Sequence, residues 1–146
     1  MRNLARITSS VQNWIFLGCG IYYPVAMESA LKMKEVTYLH AEGMPAGFLK
    51  HGTLSMIEKS VHSLFFVPPP AEVDLHNRTI IAIEEIKTRG GTLVGLYFEG
   101  DSQAKSLLDH AVELPPVPSL IAPFVQMILA QTVSYTHLTL PTKNEV

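Results

Sequence analysis

The sequence is poor in cysteine and in charge. Its 146 residues include one cysteine and one tryptophan. Cys19 has no second thiol for an internal disulfide and no CxxC or histidine-rich neighbourhood at metal-ligand spacing. No disulfide framework, metal or cofactor is therefore expected, and a reducing, cytoplasmic compartment is. Charged residues make up 16% of the chain and the formal net charge is -2. Without a basic block or interleaved aromatics there is no electrostatic footprint for nucleic acid or an anionic membrane surface. No apolar run approaches the roughly 18 residues of a transmembrane helix. The stretch "WIFLGCG", preceded by Arg2 and Arg6, superficially resembles a signal peptide ending in a lipidated cysteine. Its apolar part is only Trp14 to Leu17, short of the roughly 7–15 residues such a segment needs.

What is present suits one compact soluble domain with small molecules or proteins as partners. A chain of this size buries roughly 68–70% of its unfolded surface, enough for a substantial core. Compact apolar runs alternate with longer helical patterns, the signature of parallel strands joined by helical crossovers. "WIFLG" (Trp14 to Gly18) reads as a buried strand, and Pro24 suits the first turn of a helix running to about Leu39. "VHSLFFV" (Val61 to Val67) reads as a second strand, closed by Pro68, Pro69 and Pro70. "DLHNRTIIAIEEIKTRGG" has helical spacing and stops at Gly90 and Gly91, where a left-handed cap needs no side chain. "TLVGLYF" is a third strand. A short helix from Ser102 to Asp109, a weak strand "AVELP" and an apolar helix from about Leu120 to Thr132 follow. The pattern predicts a doubly wound α/β domain with its functional loops at the carboxyl ends of the strands. Beyond it, "VSYTHLTLPT" (Val133 to Thr142) closely resembles a translated sequencing-library adapter, so residues 133–146 are expected to lie outside the domain.

The chemistry gathers between Lys32 and Ser60. On a helix, Glu28, Lys32 and Glu35 fall within one sector of about 60°. Met27, Ala30, Leu31, Met33, Val36 and Tyr38 fill most of the remaining circumference, so the helix is expected to be largely buried with its charged stripe lining a cleft. The plainer alternative is a Glu–Lys pair on a solvated edge. The following segment, "HAEGMPAGFLKHG", is read as a loop that places His40, Glu42, Lys50 and His51 around Gly43, Gly47 and Gly52. Glycines let backbone approach a ligand, and a histidine beside a lysine can shuttle protons near neutral pH.

From Phe16 to Ile57 the sequence "FLGCGIYYPVAMESALKMKEVTYLHAEGMPAGFLKHGTLSMI" resembles the second sugar-isomerase (SIS) subdomain of the isomerising glutamine:fructose-6-phosphate aminotransferases. The likeness is dense and nearly gapless there and continues more loosely through "EEIKTRGGTLVGLY" and "LIAPFVQMILAQ". It implies an SIS domain, a flavodoxin-like three-layer αβα fold. The family makes glucosamine 6-phosphate from fructose 6-phosphate and glutamine-derived ammonia. The resemblance implies that Glu35 is the base moving a proton between C1 and C2, and that Lys32 stabilises the developing enediolate. It implies that Glu28 lies in the amino-group region and that His51 assists ring opening, contributed in the family's dimer by the neighbouring subunit. Lys50 and Glu42 are candidate substrate-binding residues, the alternative being that they only hold the loop.

Four positions depart from the family pattern: Cys19 for Arg, Ser29 for Gly, Phe48 for Glu and Thr53 for Pro. Phe48 removes a carboxylate two residues before Lys50. The family's glutaminase domain, its first SIS subdomain with the phosphate-binding Ser/Thr loops, and its tail lysine that forms a Schiff base have no counterpart in this sequence. Lys143 lies in or beyond the adapter-like segment and is not assigned that role. The chain by itself is therefore expected to be inactive. Two rival readings share the fold: another double-SIS deaminase or deglycase, and a non-catalytic sugar-phosphate-binding module.

Overall fold

The computed structural model describes residue 8 and residues 10–139, with side chains through residue 135. In chain order the elements are β1 (Asn13–Gly18), α1 (Tyr23–Thr37), β2 (His40–Pro45), β3 (Val61–Phe66), α2 (Val73–Thr88), β4 (Thr92–Phe98), α3 (Ser102–Leu107), β5 (His110–Leu114) and α4 (Ala122–Thr139). The strands form one five-stranded sheet in the order β2-β1-β3-β4-β5, and every pairing is parallel. This is the doubly wound order of the flavodoxin-like folds, with the direction of winding reversing between β1 and β3.

Two-residue alternation along the strands divides the core. Trp14, Phe16, Leu64, Phe66, Val94 and Leu96 point to the face covered by α1 and α4. Ile15, Leu17, Phe65, Leu93 and Tyr97 point to the face covered by α2 and α3. Strands buried on both faces read as continuous apolar runs, which is why β1, β3 and β4 are legible in the sequence.

The segment expected to be a loop is in part a strand. β2 lies at the sheet edge, and of its residues only Ala41 is fully buried. Edge strands carry polar residues that discourage pairing with other chains, and "HAEGMP" therefore has no strand signature. After β2 the chain makes 3-10 turns over Ala46–His51 and Thr53–Met56. α1 stops at Thr37 rather than Leu39, because Tyr38 takes a left-handed conformation with φ 60°. α4 runs past Thr132, and Val133 is fully buried against the sheet.

Two side-chain clips close the carboxyl end of the sheet. The Tyr22 hydroxyl donates to Glu72 Oε1 at 2.7 Å. His76 Nε2 lies 2.6 Å from Asp101 Oδ2, while Asp101 Oδ1 accepts from the Ala104 N–H at 2.9 Å and caps α3. On the other layer, the buried Gln126 amide of α4 donates to the carbonyls of Val67 and Leu96 at 2.8 and 2.9 Å.

Two predictions follow from these local features. The Tyr38 side chain is 91% exposed, so Tyr38→Gly loses no packing and relieves a left-handed β-carbon. Net of glycine's extra unfolded freedom it is expected to add about 0.5–1 kcal/mol, seen as a higher midpoint in thermal unfolding. Burial, and secondarily the hydrogen bond to Glu72, holds the Tyr22 phenol well above its ordinary value of 10.0. A proton held more tightly by the folded state contributes stability that is complete below about pH 10 and is lost as the pH rises further. Denaturant titrations at increasing pH are expected to show this alkaline decline, and Tyr22→Phe is expected to flatten it.

Candidate active site

α1 positions the charged stripe. Pro24 occupies the helix start, where a missing N–H costs nothing, and Val25, Ala26, Ser29, Ala30 and Met33 turn toward the core. Ala26 and Ala30 are small because β2 lies close behind: a β-carbon on Gly43 would sit 2.5 Å from Met27 Cα and 2.7 Å from the Ala26 carbonyl oxygen. The opposite side of the helix carries Glu28, Lys32 and Glu35. Lys32 Nζ is 2.7 Å from Glu35 Oε2 and 3.8 Å from Glu28 Oε1. The hydrogen bond to Glu35, followed by the charge of Glu35, raises the Lys32 ammonium above the ordinary lysine range. The ammonium thus stays charged between two carboxylates.

The expected burial of this helix is corrected by the structure. Met27, Leu31 and Tyr38 are exposed, and the side chains of Glu28, Lys32 and Glu35 keep 40%, 37% and 51% of their accessibility. The apolar residues of α1 exceed what the sheet and α4 can cover, so part of them is left facing outward. Lys32 borders a groove between α1 and α4 with Val36, Ile128 and Tyr135. Glu28 borders a neighbouring cleft along the sheet edge with Met27, Leu31, Lys34, Gly43 and Glu42. The structure therefore groups Glu28, Lys32 and Glu35 directly, and Glu28 with Glu42 across a cleft. Glu42 Oε1 is also 3.7 Å from His40 Nε2.

Lys50 and His51 are placed elsewhere. Their 3-10 segment packs through Ala46 and Leu49 into the core layer of α2, across the sheet from α1. Lys50 Nζ pairs with Glu85 Oε1 of α2 at 2.9 Å, and the His51 ring lies 5.7 Å from the Phe48 ring, centroid to centroid. Glu85 carries no signal in the sequence, since it is one of several glutamates on an amphipathic helix. The Tyr22–Glu72 and His76–Asp101 clips are equally silent, because each joins segments distant in sequence. Among the described residues no group of three or more His, Cys, Asp or Glu side chains is placed to hold a metal ion, and no helix is long and apolar enough to cross a membrane.

Comparison with known proteins places this arrangement. Residues 8–141 match the model of the SIS domain. The chain is 39% identical over 132 residues to a glutamine–fructose-6-phosphate aminotransferase [isomerizing] from Synechocystis, covering 90% of this chain and 20% of that protein. It is 37% identical over 135 residues to the protein of the same name from Methanococcus maripaludis, covering 91% and 22%. The chain thus spans about a fifth of the length of the curated relatives it matches. Among solved structures, the C-terminal domain of glucosamine-fructose-6-phosphate aminotransferase from Francisella tularensis superposes with a TM-score of 0.83 at 35% identity, covering 94% of this chain and 38% of that one. A putative tagatose-6-phosphate ketose/aldose isomerase from Clostridium novyi, at 16% identity and a TM-score of 0.79, shares the fold, covering 94% of this chain and 36% of that one. With the five-stranded parallel sheet, the helices on both its faces and the family match over nearly the whole length, the chain belongs to the SIS domain family.

Proposed function

We propose that the chain is the second SIS unit of an isomerising glutamine–fructose-6-phosphate aminotransferase, acting on a sugar phosphate in the cytoplasm. The observation that carries this reading is the Glu28–Lys32–Glu35 constellation, with one ammonium 2.7 and 3.8 Å from two carboxylates on the outer face of α1. Aldose–ketose isomerisation needs a base that takes a proton from one carbon and returns it to the next. Glu35 supplies that base. Negative charge develops on the sugar oxygen between the two transfers, and the Lys32 ammonium, held beside Glu35, is the cation placed to meet it. Glu28 faces the position of the amino group, with Glu42 farther along the cleft.

His51 cannot serve the same α1 from across the sheet, and it acts on a ring held by a second copy of the protein. A homodimer therefore completes the site. Proton transfer of this kind needs water excluded, and the α1 face is open in this chain. The remaining length of such a protein covers that face and brings the ammonia source and the phosphate-binding loops. We also place the end of the native domain near Thr132 and assign residues 133–146 to a translated adapter.

Glu35→Gln, made in the full-length protein that carries this domain, is expected to lower glucosamine 6-phosphate formation by roughly 10²–10⁴-fold. The same variant is expected to abolish solvent-hydrogen exchange into the sugar, followed by proton NMR, while circular dichroism stays unchanged. Retention of exchange by the folded variant would remove Glu35 from the role of base. Resequencing the source DNA is expected to return different codons after Thr132; unchanged codons through Val146 would overturn the domain boundary.

A further inference from the structure

Ligands of open α/β sheets bind outside the carboxyl ends of the strands, where the winding reverses. Here that place, between β1 and β3, is closed. The loop after β3 contributes Pro68, Pro69 and Pro70, which have no N–H to offer an anion. The start of α2 carries Glu72, already bonded to Tyr22, and Asp74 in the first turn. An anion at this helix end would meet two carboxylates beside the first-turn N–H groups.

The opening has moved sideways, to a cleft of about 310 Å³ at the carboxyl ends of β1 and β2. One wall is the Gly18–Cys19–Gly20 turn, which exposes backbone instead of bulky side chains. Another is the 3-10 segment with Ala46 and Phe48, and the third is α2 with Ile81 and Ala82. Burial pushes the Cys19 thiol up, so it stays neutral and adds to the apolar lining. At the mouth stand Lys50, Arg78 and Glu85, two cations to one anion. Asp74, which pairs with Arg78 at 3.3 Å, is not part of the lining.

We propose that this cleft binds a small organic anion, an apolar body about the size of one aromatic ring bearing a single phosphate or carboxylate. The apolar body lies between Phe48 and Ile81, and the anionic group takes Lys50 and Arg78. To do so it displaces Glu85 from Lys50 and Asp74 from Arg78. Because Lys50 immediately precedes His51, occupancy also shifts the segment that carries His51. The site goes beyond the isomerase reading and stands whether or not Glu35 moves protons.

Phenyl phosphate titrated into the full chain, followed by backbone-amide NMR, tests the proposal. Saturable shifts are expected at Gly18–Gly20, Ala46–His51 and the α2 residues between Arg78 and Glu85. Lys50→Met and Arg78→Met, both at well-exposed positions that the fold tolerates, are expected to weaken binding about tenfold. Glu85→Gln removes the competing carboxylate and is expected to tighten binding several-fold. Inorganic phosphate, lacking the apolar body, is expected to bind at least about tenfold more weakly. The proposal is overturned by shifts that centre on Glu28 and Glu42, by the absence of saturation up to about 10 mM, by equal affinity for inorganic phosphate, or by indifference to all three substitutions.

Discussion

The position of the candidate site depends on one close approach, that of α1 to the edge strand at Gly43. No side chain fits between them, since a β-carbon there would overlap Met27 Cα and the Ala26 carbonyl. Contact of backbone with backbone fixes the rotation of the helix about its own axis. Ala26, Ala30 and Met33 then face inward, and Glu28, Lys32 and Glu35, displaced around the helix from those positions, face outward. A larger residue at position 43 would push α1 away from β2 and turn the stripe with it. The charges of the site are thus positioned by the smallest residue of the adjacent strand.

The polar groups of the molecule fall into two physical classes. His76–Asp101, Tyr22–Glu72 and Gln126 lie in or near the core and join elements far apart in sequence. Unpaired, such groups would carry a desolvation cost, so their bonds specify how the β3–α2 and β4–α3 connections close. Lys32 with its two glutamates is open to water, where an ion pair contributes little to stability. Exposed pairs at this spacing also occur on α2, where Arg78 meets Asp74 at 3.3 Å, so exposure alone does not set the α1 stripe apart from an ordinary solvated helix edge.

The sheet was legible where strands are buried on both faces. "WIFLG", "VHSLFFV" and "TLVGLYF" are apolar throughout because each residue meets a helix on one face or the other. β2 was hidden because an edge strand with a glycine forced by α1 and a proline at its end looks like a loop. The spacing of Glu28, Lys32 and Glu35 was visible as one face of a helix, whereas their exposure was not: periodicity locates a face and does not say whether another element covers it. Nor could spacing show that Lys50 and His51 lie across the sheet from Glu35. The chain passes from one layer to the other through β2, and proximity in sequence there becomes separation in space.

That separation bears on how an SIS domain can work. At the carboxyl ends of β1 and β3, where a doubly wound sheet usually receives an anion, Tyr22 donates to Glu72 and the loop after β3 runs through Pro68, Pro69 and Pro70. Glu28 and Glu35 sit on the outer face of α1, and His51 sits on the far layer with α2. Within this single chain Glu35 and His51 are held by different layers, α1 on one face and the Ala46–His51 segment beside α2 on the other. The two groups therefore face different surroundings, one open along α1 and the other packed beside α2, and no cleft of the described residues joins them.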